Sequence, residues 1–329
     1  MKSITTRRLL SLDGDQLNWY LKEYKWANIF EMMRNLKSKP KIAPELFNNR
    51  LVVITGATSG IGLAAALKFA SRGADLLVIN RNQQKSIELC QTIQREYQVD
   101  CNFILADFAK LDDVHQAAHE LKQIERNIDV LIHNAGIYNT TRVLTAEGLE
   151  AVFQTNFLST FILNHILKEK FKKQAGGRIL FVNSEAYRFA VSGLQMDDLS
   201  WTRRRYTGIQ SYGAAKLAQL LSMRKFKDYF GDCGVTINAM HPGNVKTNSG
   251  QNNGRLYKVF KKWLLDRGMQ PLDFAAEALY YLGVSDEIKE HSGVFFNLTT
   301  EEEPAPPARD DEAAQRLWEI SLKLGGLHE

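Results

Sequence analysis

From residue 45 onward, short apolar runs alternate with stretches that carry apolar residues at helical spacing, such as 61–72 and 83–97. Nearly every position in each run is apolar, so both faces of the run are expected to be buried. Strands of this kind, separated by helices, are typical of a parallel sheet covered on both sides. The predicted strands are Leu51–Ile54, Leu76–Ile79, Phe103–Leu105, Val130–Ile132, Ile179–Val182, Val235–Ala239 and Val294–Phe296. The pattern therefore predicts an α/β chain with a single doubly wound parallel sheet.

The first 44 residues follow a different pattern. Apolar positions there approximate one stripe of an amphipathic helix: Leu17, Tyr20, Leu21, Tyr24, Phe30 and Met33. Pro40 and Pro44 disfavour helix in the residue before each of them and mark a linker. We therefore predict an N-terminal helical arm over 1–44 and one main domain over 45–329.

Charge is distributed unevenly between these two parts. Residues 1–44 carry nine Lys or Arg and four Asp or Glu, which accounts for the whole net charge of +5. The remaining residues balance at 33 basic and 33 acidic side chains. The main domain is therefore not expected to bind nucleic acid. For the arm, three interpretations stay open: docking on the main domain or a second subunit, weak contact with an anionic membrane, or a targeting or disordered role.

Cysteine spacing and hydropathy indicate which metal sites, redox compartment and membrane segments to expect. Cys90, Cys101 and Cys233 show no metal-ligand or CxxC spacing, so we expect no metal site and a reducing compartment. No apolar run approaches the roughly 18 residues that span a bilayer. We expect a cytoplasmic protein, with peripheral membrane contact limited to the arm.

A glycine-rich segment follows the first predicted strand directly and precedes a helix. Glycines in this place let the backbone turn tightly and approach a pyrophosphate, which then binds the amides at the helix N-terminus. The spacing Gly-x-x-x-Gly-x-Gly, between an apolar strand and an Ala-rich helix, predicts a dinucleotide phosphate loop in a Rossmann fold. Its residues are Gly56, Thr58, Ser59, Gly60, Ile61 and Gly62.

The end of the second strand predicts which dinucleotide binds. An acidic residue there bonds the adenosine ribose hydroxyls, whereas a basic residue favours a 2′-phosphate. This strand ends in Ile79-Asn80-Arg81-Asn82 without an acid, and Asp75 lies at its opposite end. Arg81 therefore favours NADP(H) over NAD(H), and the alternative is that Arg81 only caps a solvated loop.

Tyr212 and Lys216 are four residues apart in a predicted helix, so their side chains share one face. A neighbouring ammonium lowers the pKa of a phenol and makes it a usable acid or base near neutral pH. In most proteins such a pair is an ordinary surface pair. Downstream of a phosphate loop, it instead predicts a catalytic pair.

Together these motifs resemble the classical short-chain dehydrogenase/reductase family over about residues 45–325. The resemblance implies that Asn156, Ser184, Tyr212 and Lys216 form the catalytic tetrad. It also implies cofactor contacts beyond the glycine segment and Arg81. These are Asp107, Asn134, Ala135, Gly136, Tyr212, Lys216, Pro242, Gly243, Val245 and Thr247. His133, Asn183 and Ala215 depart from the residues that the family often has, at positions outside the tetrad.

The mechanism implied by the resemblance is hydride transfer between the nicotinamide and a carbonyl or alcohol carbon. Tyr212 would exchange a proton with the substrate oxygen and Ser184 would stabilise the alkoxide. Lys216 would lower the pKa of Tyr212 and hold the nicotinamide ribose, and Asn156 would position a water that links Lys216 to solvent. A homodimer is a further expectation from the resemblance.

The segment between Ser184 and Tyr212, including 196–201, is similar to the retinol-dehydrogenase-like branch, which acts on lipophilic alcohols and carbonyls. Tyr138, Tyr187, Phe189 and Trp201 would form an apolar substrate wall or belong to the core. Residues 244–272 lie where the family has its mobile substrate loop. Two alternatives remain: a non-catalytic NADP(H)-binding sensor or scaffold, and the same chemistry on a steroid, polyketide or sugar.

Overall fold

The computed structural model describes residues 14–23, 38–231, 233–243, 245 and 270–328. Within them lies one eight-stranded sheet in the order β3-β2-β1-β4-β5-β6-β7-β8. The strands are β1 Leu51–Thr55, β2 Asp75–Asn80, β3 Cys101–Leu105, β4 Val130–His133, β5 Gly177–Val182, β6 Val235–His241, β7 Phe295–Asn297 and β8 Thr300–Glu301. Strands β1 to β7 pair in parallel, and β8 pairs antiparallel with β7. The predicted doubly wound sheet is confirmed, whereas β8 was not predicted.

The helices alternate with the strands. Helix α1 spans Gly14–Glu23, α2 Gly60–Ala70, α3 Gln83–Tyr97, α4 Leu111–Gln123, α5 Ala151–Phe153, α6 Ser159–Gln174, α7 Gly208–Tyr229, α8 Leu272–Val284 and α9 Asp311–Leu324. A π-helical turn, Gln154–Leu158, joins α5 to α6. The helix predicted over 83–97 is α3, and the helix predicted over 61–72 ends earlier, at Ala70, because a turn to Gly73 follows.

Two apolar layers enclose the sheet, and β1 shows how its sequence separates them. Leu51 and Val53 belong to the cluster formed with α4, α6, α7 and α9. Val52 and Ile54 belong to the cluster formed with α2, α3 and α8. Because successive strand side chains point to opposite faces, an uninterrupted apolar run is what a strand covered on both sides requires.

Strand order reverses between β1 and β4, because the chain runs outward to β3 and then returns beside β1. In an open α/β sheet, the crevice at the carboxyl ends of the strands next to such a reversal is where ligands bind. The loop after β1 and the loop after β4 both begin at this point. The fold therefore brings the predicted glycine segment and the Asn134–Gly136 turn together.

Helix α1 contacts the main domain through Tyr20, which is buried. Its hydroxyl donates a hydrogen bond to Asp310 Oδ2 at 2.7 Å. Gly193 lies beneath the ring, and a Cβ at that position would come within 2.9 Å of the Tyr20 hydroxyl. These contacts agree with the docking interpretation of the arm, while the domain boundary at residue 44 stays a prediction.

The C-terminal helix α9 covers part of the layer formed by α6 and α7. The Trp318 ring lies 4.9 Å from both Phe161 and Phe226 and 5.1 Å from Tyr229, between ring centroids. Tilted and edge-on aromatic contacts at these distances are favourable. Among the residues that the structure describes, no helix is both long and apolar enough to span a lipid bilayer.

Candidate active site

A cavity of about 690 Å³ opens along the carboxyl ends of the strands. It connects the glycine segment at one end with the predicted catalytic pair at the other. The predicted site residues that line it are Gly56, Thr58, Ser59, Gly60, Ile61, Arg81, Asp107, Asn134, Ala135, Gly136, Ser184, Tyr212, Lys216, Pro242, Gly243 and Val245. Gly62 and Asn156 lie behind this lining, and Thr247 lies outside the described residues.

Two glycines are required by close backbone contacts: Gly56 in the loop after β1 and Gly62 in the first turn of α2. Gly56 has a φ of 70°, and a Cβ there would lie 2.9 Å from Ala135 Cα. A Cβ on Gly62 would lie 2.3 Å from the Gly56 carbonyl oxygen and 2.4 Å from Asn134 Nδ2. Helix α2 begins after Ser59 without a side-chain cap, so amides of its first turn remain available to an anion.

The turn after β4 holds the glycine loop in place. Asn134 Nδ2 donates to the carbonyl oxygens of Thr55 at 3.0 Å and Gly56 at 2.9 Å. Thr55 Oγ1 accepts from the backbone amides of Asn134 at 3.0 Å and Ala135 at 2.9 Å. These bonds leave the loop little freedom, and they fix its open side toward the cavity.

At the other side of the loop, the end of β2 carries no carboxylate. Asn80 Oδ1 accepts from the Ala57 amide at 2.8 Å, so this side chain supports the loop. Arg81 is exposed and lines the cavity together with Lys85, which the sequence interpretation missed. Lys85 follows Arg81 by four residues, in the first turn of α3, and that position was its signal in the sequence. The residues at this end of the cavity fit a dinucleotide, and the two cations suit an added phosphate.

Tyr212 and Lys216 both line the cavity from α7, as their spacing predicts. Lys216 Nζ lies 5.6 Å from the centre of the Tyr212 ring. The Tyr212 hydroxyl shares a hydrogen bond with the side chain of Ser184. Lys216 Nζ donates to the Val182 carbonyl oxygen at 2.7 Å and to Gln219 Oε1 at 3.1 Å. The structure therefore brings three tetrad residues, Ser184, Tyr212 and Lys216, to one end of the cavity.

Burial controls the protonation of this pair. It raises the pKa of Tyr212 to about 12, although the hydrogen bond with Ser184 opposes the change. Burial also lowers the pKa of Lys216 to about 7. The pKa of Tyr212 is therefore raised in this structure, whereas the sequence interpretation expected it to be lowered. The ammonium is directed at Val182 and Gln219, and the cost of burying a phenolate exceeds any effect of the ammonium.

Asn156, the fourth predicted tetrad residue, lies in the π-helical turn and is fully buried. Its side chain clamps Ile137 from both sides, because Oδ1 accepts from the Ile137 amide at 2.8 Å and Nδ2 donates to its carbonyl at 3.0 Å. Its own carbonyl oxygen accepts from Gln219 Nε2 at 2.7 Å. Gln219, a side chain that the sequence interpretation did not single out, therefore lies between Asn156 and Lys216 and contacts both.

Two residues that depart from the common family pattern have structural partners. His133 is buried, its Nε2 is 2.7 Å from Asn164 Oδ1, and its ring stacks on Phe181 at 5.1 Å. Burial lowers the pKa of His133 to about 4, so it is neutral near pH 7. Asn183 Oδ1 accepts from the Ser184 amide at 2.8 Å and thereby orients the segment that carries Ser184.

Of the four aromatic residues predicted for a substrate wall, Tyr138 alone lines the cavity. Its ring packs edge-on against Tyr212, with centroids 5.8 Å apart. Tyr187 is core, because it is buried and its hydroxyl accepts from the Ala305 amide. Trp201 is also core and packs against Arg204, whereas Phe189 is exposed at the surface.

The predicted substrate loop, 244–272, falls mostly outside the described residues. Val245 is described and forms an isolated parallel bridge with Gln270. Pro242, Gly243 and Val245 line the cavity beside Ser184. The N-terminal flank of the predicted loop therefore reaches the cavity, and its role as a substrate loop stays a prediction.

Comparison with known proteins agrees with this geometry. The family model described as short chain dehydrogenase matches residues 50–196. Retinol dehydrogenase 13 of Homo sapiens is 33% identical over 289 residues, which cover 84% of this chain and 85% of the relative. Retinol dehydrogenase 14 of Homo sapiens is 31% identical over 303 residues, covering 86% and 88%. The WW domain-containing oxidoreductase of Homo sapiens is 30% identical over 285 residues, covering 84% of this chain and 68% of the relative.

Solved structures share the same fold. An uncharacterized protein from Mycobacterium Paratuberculosis aligns with a TM-score of 0.68 and 27% identity, covering 86% of this chain and 96% of that one. A short-chain dehydrogenase from Sphingobium yanoikuyae in complex with NADPH aligns with a TM-score of 0.58 and 24% identity, covering 70% and 83%. The cavity, the predicted catalytic pair and the retinol dehydrogenase relatives lead to one conclusion: the chain is an oxidoreductase of the short-chain dehydrogenase/reductase family, in its retinol-dehydrogenase-like branch.

Proposed function

We propose that this protein transfers hydride between NADP(H) and a lipophilic alcohol or carbonyl compound, with Tyr212 as the general acid and base. One observation carries the proposal. A single cavity has Arg81 and Lys85 at the nucleotide end and Tyr212, Ser184 and Lys216 at the other. A nucleotide-binding protein without catalysis would need no buried Tyr and Lys at that second end.

The nicotinamide, when bound, supplies or accepts the hydride. In the reduction direction, Tyr212 is protonated near neutral pH because burial raises its pKa to about 12. It therefore donates its proton to the substrate oxygen as negative charge develops there. The Ser184 hydroxyl donates a second hydrogen bond to the same oxygen. The Lys216 ammonium has three N–H donors, and two of them bond Val182 and Gln219. The third can donate a hydrogen bond to a ribose hydroxyl of the cofactor or to the phenol of Tyr212.

The first test replaces Tyr212 by Phe, which keeps the ring and removes the exchangeable proton. General acid and base catalysis contributes about 10²–10⁴-fold, so kcat is expected to fall by that factor. NADPH affinity, measured by fluorescence titration, stays near the wild-type value. A decrease in kcat below about threefold refutes the role of Tyr212. Cofactor binding without turnover of any aldehyde or ketone by the wild type favours the sensor or scaffold alternative.

Cofactor preference is tested at the nucleotide end. A hydrogen bond to a charged group contributes about 1.5–3 kcal/mol, so Arg81→Ala or Lys85→Ala should weaken NADPH binding about 10- to 150-fold. NADH binding should stay nearly unchanged, because NADH has no 2′-phosphate. Arg95→Ala is the matched control, because Arg95 is exposed near the end of α3, the helix that carries Lys85. Equal wild-type affinities for NADPH and NADH contradict the proposed preference.

A lipophilic substrate is supported by the Tyr138 ring beside Tyr212 and by the printed names of the retinol dehydrogenase relatives. Each added methylene that becomes buried contributes about 0.8 kcal/mol. kcat/KM should therefore rise along a series of linear aldehydes of increasing length, until the cavity is filled. A flat series, or faster turnover of sugars, contradicts an apolar pocket.

Assembly and membrane contact are the remaining parts of the proposal. Trp19 is 42% exposed on α1 next to docked Tyr20, which leaves an aromatic side chain for weak contact with an anionic membrane. Flotation with anionic vesicles at low and high salt tests this contact. Light scattering of the full chain tests the homodimer. Failure to float at low salt refutes the membrane contact, and a monomer mass refutes the dimer.

A further inference from the structure

The side-chain amide of Gln219 lies at the centre of the catalytic end, and it is fully buried. Its Nε2 donates to the Asn156 carbonyl oxygen at 2.7 Å. Its Oε1 accepts from Lys216 Nζ at 3.1 Å and from Asn183 Nδ2 at 3.1 Å. One side chain therefore contacts two predicted tetrad residues and the neighbour of a third, Ser184.

The partners fix the orientation of this amide. Lys216 Nζ and Asn183 Nδ2 can only donate, so an oxygen must face both of them. The Asn156 carbonyl can only accept, so the nitrogen must face it. Rotation of the amide by 180° would place its NH2 group against two other donors, Lys216 Nζ and Asn183 Nδ2, and its oxygen against the Asn156 carbonyl oxygen, which is another acceptor. Gln219 is thus held in a single orientation, and it holds Lys216 Nζ in return.

The Asn156 carbonyl accepts from a donor outside its own helix and lies in a π-helical turn. A π-helical turn shifts the backbone hydrogen bonds by one residue, as in the bond from the Ser159 amide to the Gln154 carbonyl. Gln219 Nε2 supplies a hydrogen bond to the Asn156 carbonyl from α7. The same amide therefore stabilises the turn that carries Asn156 and positions the ammonium that faces the cavity.

We propose that Gln219 is a positioning residue of the reaction: its amide bridges Asn156 to Lys216, holds the Lys216 ammonium so that one N–H remains for the cofactor ribose or Tyr212, and takes the place of a connecting water. This inference rests on the proposed oxidoreductase function. An amide does not pass protons as a water does, so protons exchanged at Tyr212 leave through the cavity rather than past Asn156.

The electrostatic surroundings make a charge at position 219 easy to detect. Tyr212 on α7 and His133 on β4 are titratable groups that interact with Lys216, and His241 at the end of β6, whose pKa burial lowers to about 4, lines the same cavity. The His133 pKa of about 4 keeps that ring neutral through the assay range. The hydrogen-bond partners of Lys216 from β5 and α7, the Val182 carbonyl and the Gln219 amide, are uncharged. A new carboxylate would therefore be the one fixed charge in contact with Lys216.

The experiment uses Gln219→Glu, which has nearly the same shape, in the full chain. A negative charge in contact with Lys216 raises the pKa of both Lys216 and Tyr212, by about one unit or more. The midpoint of the pH profile of kcat should move upward by that amount. Gln219→Met should move it downward, because the ammonium loses an acceptor, and should lower kcat roughly fivefold or more. A role in packing alone would lower kcat at every pH and leave the midpoint in place.

Gln174→Glu is the matched control, because Gln174 bonds Ile128 and Gly176 at the amino ends of β4 and β5, whereas the cavity opens at the carboxyl ends of the strands. It should change the melting temperature and leave the midpoint unchanged. If Gln219→Glu does not fold, the inference is tested by the expected downward shift of the kcat midpoint in Gln219→Met. Midpoints within about 0.3 unit of wild type in the folded variants overturn the inference.

A second readout separates this inference from the proposed function. The pH dependence of NADP+ affinity, measured by calorimetry, needs no turnover and reports the ammonium beside the ribose. Gln219→Glu should extend tight binding to higher pH than wild type. If the wild type turns over no carbonyl compound, the proposed function fails, while the shift in NADP+ binding still supports the role of Gln219. If the wild type is active and neither midpoint moves, the role of Gln219 fails alone.

Discussion

Lys216 is expected to make the stability of the cofactor-free protein depend on pH in an unusual direction. Its pKa in the folded protein is about 7, lowered from the ordinary value of 10.5 because the ammonium is buried. Between these two pH values the unfolded chain holds a proton that the folded chain has released. The free energy of unfolding therefore rises with pH across this window, by about 1.4 kcal/mol per pH unit.

The total gain across the window is at most about 5 kcal/mol, since the shift covers about three and a half pH units. Below pH 7 both states are protonated, and the folded state bears the full cost of the buried charge. Above pH 10.5 both are neutral and the cost disappears. Lys216→Met removes the titration and keeps the length of the side chain, so its stability should lack this rise.

The assay is urea unfolding of wild type and Lys216→Met at intervals from pH 6 to pH 10, without cofactor. The informative quantity is the difference in unfolding free energy between the two proteins at each pH. All other titrating groups are the same in the two proteins, so their contributions cancel in this difference. A part of the difference that does not change with pH reports the hydrogen bonds that Met cannot make. A difference that stays flat between pH 7 and 10 would refute the argument that burial lowers the pKa of Lys216.

Three further predictions test the packing around the site. Gly62→Ala should abolish NADPH binding while the chain still folds, because its Cβ would lie 2.3 Å from a backbone oxygen of the phosphate loop; calorimetry beside circular dichroism checks both. Trp318→Ala should lower the free energy of unfolding by about 3 kcal/mol, measured in urea, because three aromatic partners lose contact. Gly193→Ala should displace Tyr20 and make α1 sensitive to limited proteolysis, with kcat unchanged; wild-type protease resistance would contradict it.

The sheet was predictable because a doubly wound fold requires apolar strands of a recognisable length. β1 to β7 each contain a run that the sequence marks, and the differences lie at the strand ends. β8 is only two residues long, Thr300–Glu301, and both are exposed and polar. Its pairing with β7 comes from a tight turn rather than from an apolar pattern, so no hydrophobic signal marked it.

The candidate site was predictable where chemistry depends on neighbours in the sequence. Gly56, Gly60 and Gly62 lie within seven residues at the junction of β1 and α2, and Tyr212 and Lys216 lie one helical turn apart, so spacing alone brings each group together. Gln219 has the same simple relation to Lys216, three residues further along α7. Its other partners, Asn156 and Asn183, are 63 and 36 residues away. A Gln has no ionisable group, and only the packed structure shows what its amide connects.

The sequence interpretation gave the wrong direction for the pKa shift of Tyr212, again because the sequence does not show the packing around the residue. Spacing on a helix establishes that the phenol and the ammonium share a face, but it contains no information about how deeply that face is buried. α7 is covered by the π-helical turn, by the segment after Ser184 and by α9, and burial then acts on both groups in opposite directions. The neutral phenol and weakened ammonium that result suit proton donation to a carbonyl. For alcohol oxidation, Tyr212 must instead lose its proton, and a positive charge brought into the cavity would favour that loss. The rate of oxidation should therefore depend more steeply on pH than the rate of reduction between pH 6 and 9, and parallel profiles for the two directions would contradict this account of the pair.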